Sequence, residues 1–247
     1  MKSQVAENWM NDKQQKTTQS DERQAVEAWV SRRDRIYVYL LDFLDNGGRL
    51  VRCTEEGLAL LDEAHGICYA AGEDADCEEV RRAPLVMTDS RSLAEQPVVH
   101  ASIPEIMETT TAVYWGSEPV RLEKPGITTR PLTEEDLPFV LENYHNPGAV
   151  EGHIRDRIAC GMIGGLLDGR LAGFAGIHQE GTMGLLEVLP AFRRRGLAEV
   201  LEAEVINLQL RRGRLPYCHV RVGNEASLAL QRKMGLTLDH HLMYWVG

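Results

Sequence analysis

Apolar positions along this chain recur first at helical spacing and then in short alternating runs. From Gln24 to Leu44 the residues Val26, Trp29, Val30, Tyr37, Leu40, Leu41 and Leu44 predict an amphipathic helix. Asn46-Gly47-Gly48 ends it. Strand-like runs follow at 50–53, 59–61 and 66–71, parted by turn residues. The segments 80–85 and 92–95 are too short to assign by period. Ile103 to Tyr114 reads as a helix, with Ser102 and Pro104 as its start signals. Residues 1–22 are polar with little periodicity.

Glu118 to Gly126 carries Pro119, Pro125 and Gly126 among charges and reads as a linker. Beyond it the pattern is clearer. Ile127–Arg130 is a strand, and Thr133-Glu134-Glu135-Asp136 resembles a helix N-cap with acids in the first turn. A second helix over 149–160 stops at Gly161. Met162–Leu167 and Leu171–Ile177 flank Asp168-Gly169, the signature of a hairpin turn. A strand over 183–189, a long helix over 196–211, a strand over 217–222, a helix over 224–234 and a closing strand complete the order. That order, β-α-α-β-β-β-α-β-α-β, predicts an α/β fold of the mixed α+β kind: a central mixed sheet with helices on both faces. The expected division is a polar segment 1–22, an N-terminal α/β domain 23–124 and a second domain 125–247.

Composition narrows the function. The 247 residues carry 27 Lys+Arg and 37 Asp+Glu, a net charge of −10. Residues 1–125 hold 14 of the bases and 23 of the acids, so the acidity sits in the first half. No basic footprint for nucleic acid is present, and no apolar run is long enough for a membrane helix. The N-terminus has no apolar signal region, so a cytoplasmic protein is expected. Cys53, Cys68, Cys77, Cys160 and Cys218 are odd in number and scattered, which argues against a disulfide framework or a zinc site. His240 and His241 are adjacent on a strand and should face opposite ways, a poor metal pair.

The chemistry concentrates at Gly184–Leu201, GLLEVLPAFRRRGLAEVL. It reads as a strand, Pro190, a basic Gly-containing turn and a long helix. Such a turn presents backbone N–H groups without intrahelical partners at the positive end of a helix dipole. A pyrophosphate suits that place. Gly196 lets backbone approach phosphate without a Cβ, Ala198 keeps the next turn narrow, and Arg193, Arg194 and Arg195 add charge.

The spacing Val188-x-Pro190-x-x-Arg193-x-x-Gly196-x-Ala198 resembles motif A of the GCN5-related N-acetyltransferase (GNAT) superfamily. Asn224–Leu236, NEASLALQRKMGL, resembles the superfamily's N-x-x-[AS]-x-x-x-Y-x-x-x-G-[FL] segment. The resemblance implies acetyl-CoA as cofactor and transfer of its acetyl group to a primary amine, of a small molecule or amino acid, in a ternary complex. It implies that Leu186 and Val188, with Glu187, line the thioester and pantetheine. The amides of Arg194, Arg195, Gly196, Leu197 and Ala198 would hold the pyrophosphate, with Arg193 nearby. Asn224 and Ser227 would contact the cofactor from the next helix. Where the family pattern has a Tyr acid this chain has Gln231, which can hydrogen-bond the cofactor sulfur or a water but cannot protonate a thiolate.

Two residues are candidates for the base that deprotonates the amine. Glu187 faces the cleft if Leu186 and Val188 face the core. His219 lies on the neighbouring strand with an unperturbed pKa suited to the task. An N-terminal half ahead of such a domain is similar to glycine N-acyltransferase-like enzymes, in which a degenerate half packs on a catalytic one. The rival expectation, motivated by Gln231, is a non-catalytic CoA-binding or interaction module of the same fold.

Overall fold

The computed structural model describes residues 20–96, 106–144, 146 and 150–247. These form two compact units, one of residues up to Thr109 with His241–Gly247, the other Thr110–His240. The linker stretch Glu118–Gly126 lies inside the second unit. The segment 1–19, Ser102 and Pro104 lie outside the described residues.

In the first unit the expected single helix is two: α1 (residues 20–30) and α2 (Tyr39–Asp45), with a 3₁₀ turn at Arg35–Val38 between them. Asp34 restarts the chain, its side chain accepting from Ile36 N at 3.2 Å. Strands β1 (Arg49–Cys53), β2 (Gly57–Asp62) and β3 (Ile67–Gly72) form an antiparallel meander, with Gly57 opposite Gly72. The short helix α3 (Glu78–Arg82) crosses over to β4 (Leu85–Thr88), which is parallel to β3. Helix α4 (Arg91–Ala94) follows. Trp29, Tyr39, Phe43 and Tyr69 fill the core, with Phe43 and Tyr69 edge to face at 4.8 Å. The last strand, β11 (Thr237–Val246), pairs antiparallel with β4 through Tyr244, Trp245 and Val246.

The helix expected over 103–114 is a strand, β5 (Met107–Val113). Thr109-Thr110-Thr111 explains the error: three β-branched residues in succession lose side-chain freedom in a helix and suit a pleated strand.

In the second unit the order follows the expected one. Strand β6 (Ile127–Pro131) leads to a capping box in which Thr133 and Asp136 bond reciprocally, then to α5 (Leu137–Asn143) and α6 (Glu151–Ala159). Arg130 grips the Asp136 carboxylate with two nitrogens at 2.7 Å each. Strands β7 (Ile163–Leu167) and β8 (Arg170–Ile177) meet at Asp168 and Gly169, both at positive φ, 51° and 77°. Strand β9 (Met183–Val188) completes an antiparallel sheet of order β6-β7-β8-β9. Helices α7 (Leu197–Arg211) and α8 (Glu225–Lys233) flank β10 (Tyr217–Arg221).

Opposite sheet faces carry different helices. On one, α7 packs Leu197, Leu201 and Val205 against Ile163, Ala172 and Ala175. On the other, Ile154 and Ile158 of α6 and Val140 of α5 pack with Phe174 and Leu185. Each such leucine or isoleucine contributes about 1.5–3 kcal/mol by leaving water. Alternation along β8 makes both cores, since Phe174 and Ala175 point opposite ways.

No helix among the described residues is long and apolar enough to cross a membrane. Asp239, His240 and His241 bring donor atoms within 4.8 Å of one another. Both imidazoles are exposed.

Candidate active site

The turn between β9 and α7 has the geometry its sequence implies. Pro190–Phe192 forms a 3₁₀ turn, Arg194 sits at φ 63°, and Gly196 caps α7 at φ 87°. A left-handed cap favours glycine because a Cβ would crowd the backbone. Gly196 has no side chain to accept hydrogen bonds from α7, and the first helical bond runs from Val200 N to Gly196 O at 3.3 Å. The amides ahead of Val200 therefore point outward as donors. Arg193, Arg194 and Arg195 are exposed around them. Arg195 reaches Asp168 at 3.2 Å.

Two lysines absent from the sequence expectations also gather here. Lys124 and Lys233 donate to the two oxygens of Glu199, each at 2.7 Å. Burial works against the Glu199 charge, and the two ammonium groups overcome it, holding its carboxyl below the ordinary value. A Cβ built on Gly196 would meet Lys124 Cδ and Nζ at 2.5 Å, so the lysine chain crosses directly over the turn. Lys124 was missed because it lies in the supposed linker, far from the motif.

Strand β9 ends its sheet, so one of its edges carries no strand partner within that sheet. A bulge interrupts its pairing with β8 between Phe174 and Gly176, where Leu185 takes φ 51°. Leu186 and Val188 pack against the α7 core, which meets the condition under which Glu187 faces away from it. The Glu187 side chain is 30% exposed and bonds Arg193 Nη2 at 3.0 Å. Arg193 Nε also donates to Val188 O at 2.8 Å. Arg193 is thus tied to the strand rather than extended over the turn.

His219 shares this side, since Cys218 and Val220 join the α7 core. Thr111 Oγ1 lies 3.2 Å from its Nδ1. Burial first, and then the neighbouring His178, push the His219 pKa down to about 3. The expectation of an unperturbed imidazole is therefore not met: the group is neutral throughout the physiological range and a weak base.

On α8, Asn224 Oδ1 accepts from Ser227 N at 3.2 Å, so the asparagine caps its own helix. Ala198 and Ser227 are half-buried. Gln231 is buried, 3% exposed, and bonds Glu202 of α7. Burial raises the Glu202 pKa to about 7, and the Gln231 hydrogen bond partly offsets that rise. Oε1 of each residue lacks a partner among the described residues. The amide that replaces the family tyrosine thus belongs to an internal carboxyl–amide pair.

A second group of polar residues lies around the β8–β9 turn. His178 N donates to Thr182 O at 2.8 Å, and the His178 ring covers Gly184, where any Cβ would strike Nε2. Glu180 is buried and accepts from Thr182 Oγ1. Burial lowers the His153 pKa, with Arg157 and His178 adding to the effect and Glu180 opposing it. Burial likewise raises Tyr144, a rise that Glu180 and Glu187 both reinforce. No contiguous motif marks these residues.

The comparisons agree with this architecture. Residues 160–246 match the family model described as FR47-like protein. A Drosophila protein of solved structure superposes with TM-score 0.63 at 14% identity, covering 92% of this chain and 96% of its own. A protein assigned to the GNAT family from Novosphingobium aromaticivorans gives 0.55 at 21% identity, covering 76% and 86%. A GCN5-related N-acetyltransferase-like protein from Streptococcus suis gives 0.53 at 13%, covering 92% and 98%. The chain has the GNAT fold. A search of the curated proteins finds no match. Within the GNAT fold the β9–α7 turn and the β9 edge form one continuous strand–turn–helix feature, with Glu187 on the face away from α7.

Proposed function

We propose that the chain is an N-acetyltransferase that moves the acetyl group of acetyl-CoA to a primary amine of a small molecule or amino acid. The observation that carries this is the Gly196 cap: outward amides at the start of a fifteen-residue helix, beside a strand with an open edge. These residues fit the donor. The amides of Arg194 to Ala198 would take the pyrophosphate, with Lys124, Arg194 and Arg195 around it. The backbone of Leu186 and Val188 would bond the pantetheine arm along the open edge. Asn224 and Ser227 would contact it from α8. The bound donor supplies an activated acyl group as a thioester.

Glu187 would take the proton of the acceptor ammonium, which must be lost before the nitrogen attacks. Arg193 holds the Glu187 carboxylate close to β9 through its hydrogen bond. His219, neutral and aligned by Thr111, would hydrogen-bond the acceptor or a water rather than accept the proton. Gln231 supplies no acid, and a departing thiolate with a pKa near the ordinary thiol value of about 8.5 needs none.

The test is release of free thiol from acetyl-CoA with a panel of amines, beside calorimetric titration with CoA. The parent should bind CoA and turn over. Glu187→Gln should cut turnover by about 10²–10⁴-fold, the range for losing a general base, while CoA affinity stays within a few-fold. CoA binding without turnover on any amine would favour the non-catalytic module that the internal Gln231–Glu202 pair also fits. Absence of CoA binding sinks both.

A further inference from the structure

The stretch between β5 and β6 forms neither helix nor strand, yet it is held along its length. Val120, Leu122 and Lys124 are half-buried, while Arg121 and Glu123 are exposed. That alternation is the period of an extended chain lying on a surface. Val120 and Leu122 pack against the α7 core. Asn207 of α7 fixes one end, accepting from Val120 N at 2.7 Å and donating to Val120 O at 2.9 Å. Lys124 fixes the other, its Nζ 2.7 Å from Glu199 Oε2. The lengths agree. Extended chain from Val120 to Lys124 covers about 13 Å, and α7 from Glu199 to Asn207 rises about 12 Å. Residues 120–124 therefore form a strap along α7 that ends over its first turn.

The strap places a cation at its third inward position, after two apolar ones. Glu199 alone does not account for it, because Lys233 already donates to the other oxygen of that carboxylate at 2.7 Å. Two ammonium groups serve one acid, so one of them can leave without stranding an enclosed charge. Lys233 is 63% exposed and Lys124 only 26%. Lys124 is also the one over the turn, with Nζ 2.5 Å from the place of a Gly196 Cβ. The nearby guanidinium groups are already engaged, Arg193 with Glu187 and Arg195 with Asp168. Glu199 itself lies in the first turn of α7, where an acid suits the helix dipole but opposes a phosphate.

We propose that the 120–124 strap delivers Lys124 to the donor as an exchangeable cation: Glu199 holds its ammonium until the donor binds, and it then passes to a pyrophosphate oxygen while Lys233 stays on Glu199. This deepens the acyl-transfer reading and rests on it for the place of the phosphates. The exchange trades one charge-assisted hydrogen bond for another and moves no proton. Lys124 has three donors on a flexible stem, so side-chain rotation is enough to turn it from carboxylate to phosphate. The strap keeps that stem over the turn beforehand, which lowers the ordering cost of the new contact. Asn207, about 16 Å down the helix from Gly196, thereby governs the grip on the donor through the strap it anchors.

The test is calorimetric titration of CoA into the full chain and its variants, with thermal unfolding of each alongside. Lys124→Met keeps the stem over Gly196 and removes the charge, and should weaken CoA at least tenfold. Lys124→Arg restores the charge and should stay within threefold of the parent. Lys233→Met strips the same carboxylate of its other cation and should weaken CoA less than threefold. Asn207→Ala frees the far end of the strap and should weaken CoA at least threefold. Unchanged affinity in Lys124→Met overturns the proposal. Equal losses in Lys124→Met and Lys233→Met also overturn it, since Lys124 would then act only by neutralising Glu199. An Asn207→Ala chain that melts lower with CoA affinity intact would show the strap to be packing alone. Should Lys124→Met or Asn207→Ala fail to fold, Lys124→Gln and Asn207→Asp are read by the same thresholds. Amine turnover with a CoA affinity indifferent to Lys124 removes the strap and leaves the acyl-transfer reading. The stated losses with no amine turned over remove that reading and leave the strap. A parent that binds no CoA overturns both.

Discussion

At the residue scale, Gly196 joins two constraints. Its φ of 87° disfavours any side chain by about 1–2 kcal/mol, and a Cβ would meet Lys124. Gly196→Ala should therefore lose both stability and cofactor. We expect the melting temperature to fall by several degrees and CoA affinity to drop about tenfold, read by thermal unfolding and calorimetry; an unchanged affinity would place the phosphates elsewhere. The cap geometry of this residue was legible in the sequence because its signal is local: a strand end, a proline, a basic turn and a helix start lie within a few positions. The bracing of the β8–β9 turn was not: Gln209 and Tyr217 reach the backbone oxygens of Gly181 and Glu180 across 28 and 37 residues of chain. The His219 expectation erred for a related reason, since burial decides its charge and no local pattern reports burial.

At the scale of elements, α7 and α8 are joined by the buried Glu202–Gln231 pair. Glu202 titrates at about 7 in the fold against an ordinary 4.5. The folded state thus prefers the protonated acid, so the stability is fully present below pH 4.5 and lost as pH rises through 7. The shift corresponds to about 3 kcal/mol. Glu202→Gln removes the titration. The variant should lose less stability than the parent between pH 5 and pH 8, measured by urea unfolding at both. A parent whose stability is flat over that window would show Glu202 ionised at little cost. Elements that carry their own punctuation matched expectation: the Asp168-Gly169 hairpin and the Thr133 capping box are short-range devices. The strand β5 did not, because its apolar spacing fits either period and three threonines outweighed it.

At the scale of the whole molecule, the two units repeat a theme with opposite chemistry. In each, a strand leads through a turn and a helix to another strand: β3, α3 and β4 in the first, β9, α7 and β10 in the second. The second turn is basic and glycine-capped. The first carries Glu73, Asp74 and Asp76, and Glu78 and Glu79 occupy the first turn of a five-residue helix. Acids there already complement the helix dipole and repel phosphate. The chain should thus bind one equivalent of CoA, and Gly196→Ala should weaken that single event. A calorimetric stoichiometry of two would show the first unit to be a working cofactor domain.

The open edge of β9 has a consequence for how long the protein survives. An unpaired strand edge is a template for other chains. A ligand lying along it both shields that template and stabilises the fold by RT ln(1 + [L]/Kd), about 2.7 kcal/mol at a hundredfold excess over Kd. Under the acyl-transfer proposal, abundance of such a chain would then track the supply of acetyl-CoA, with starvation read out as aggregation or proteolysis before any change in synthesis.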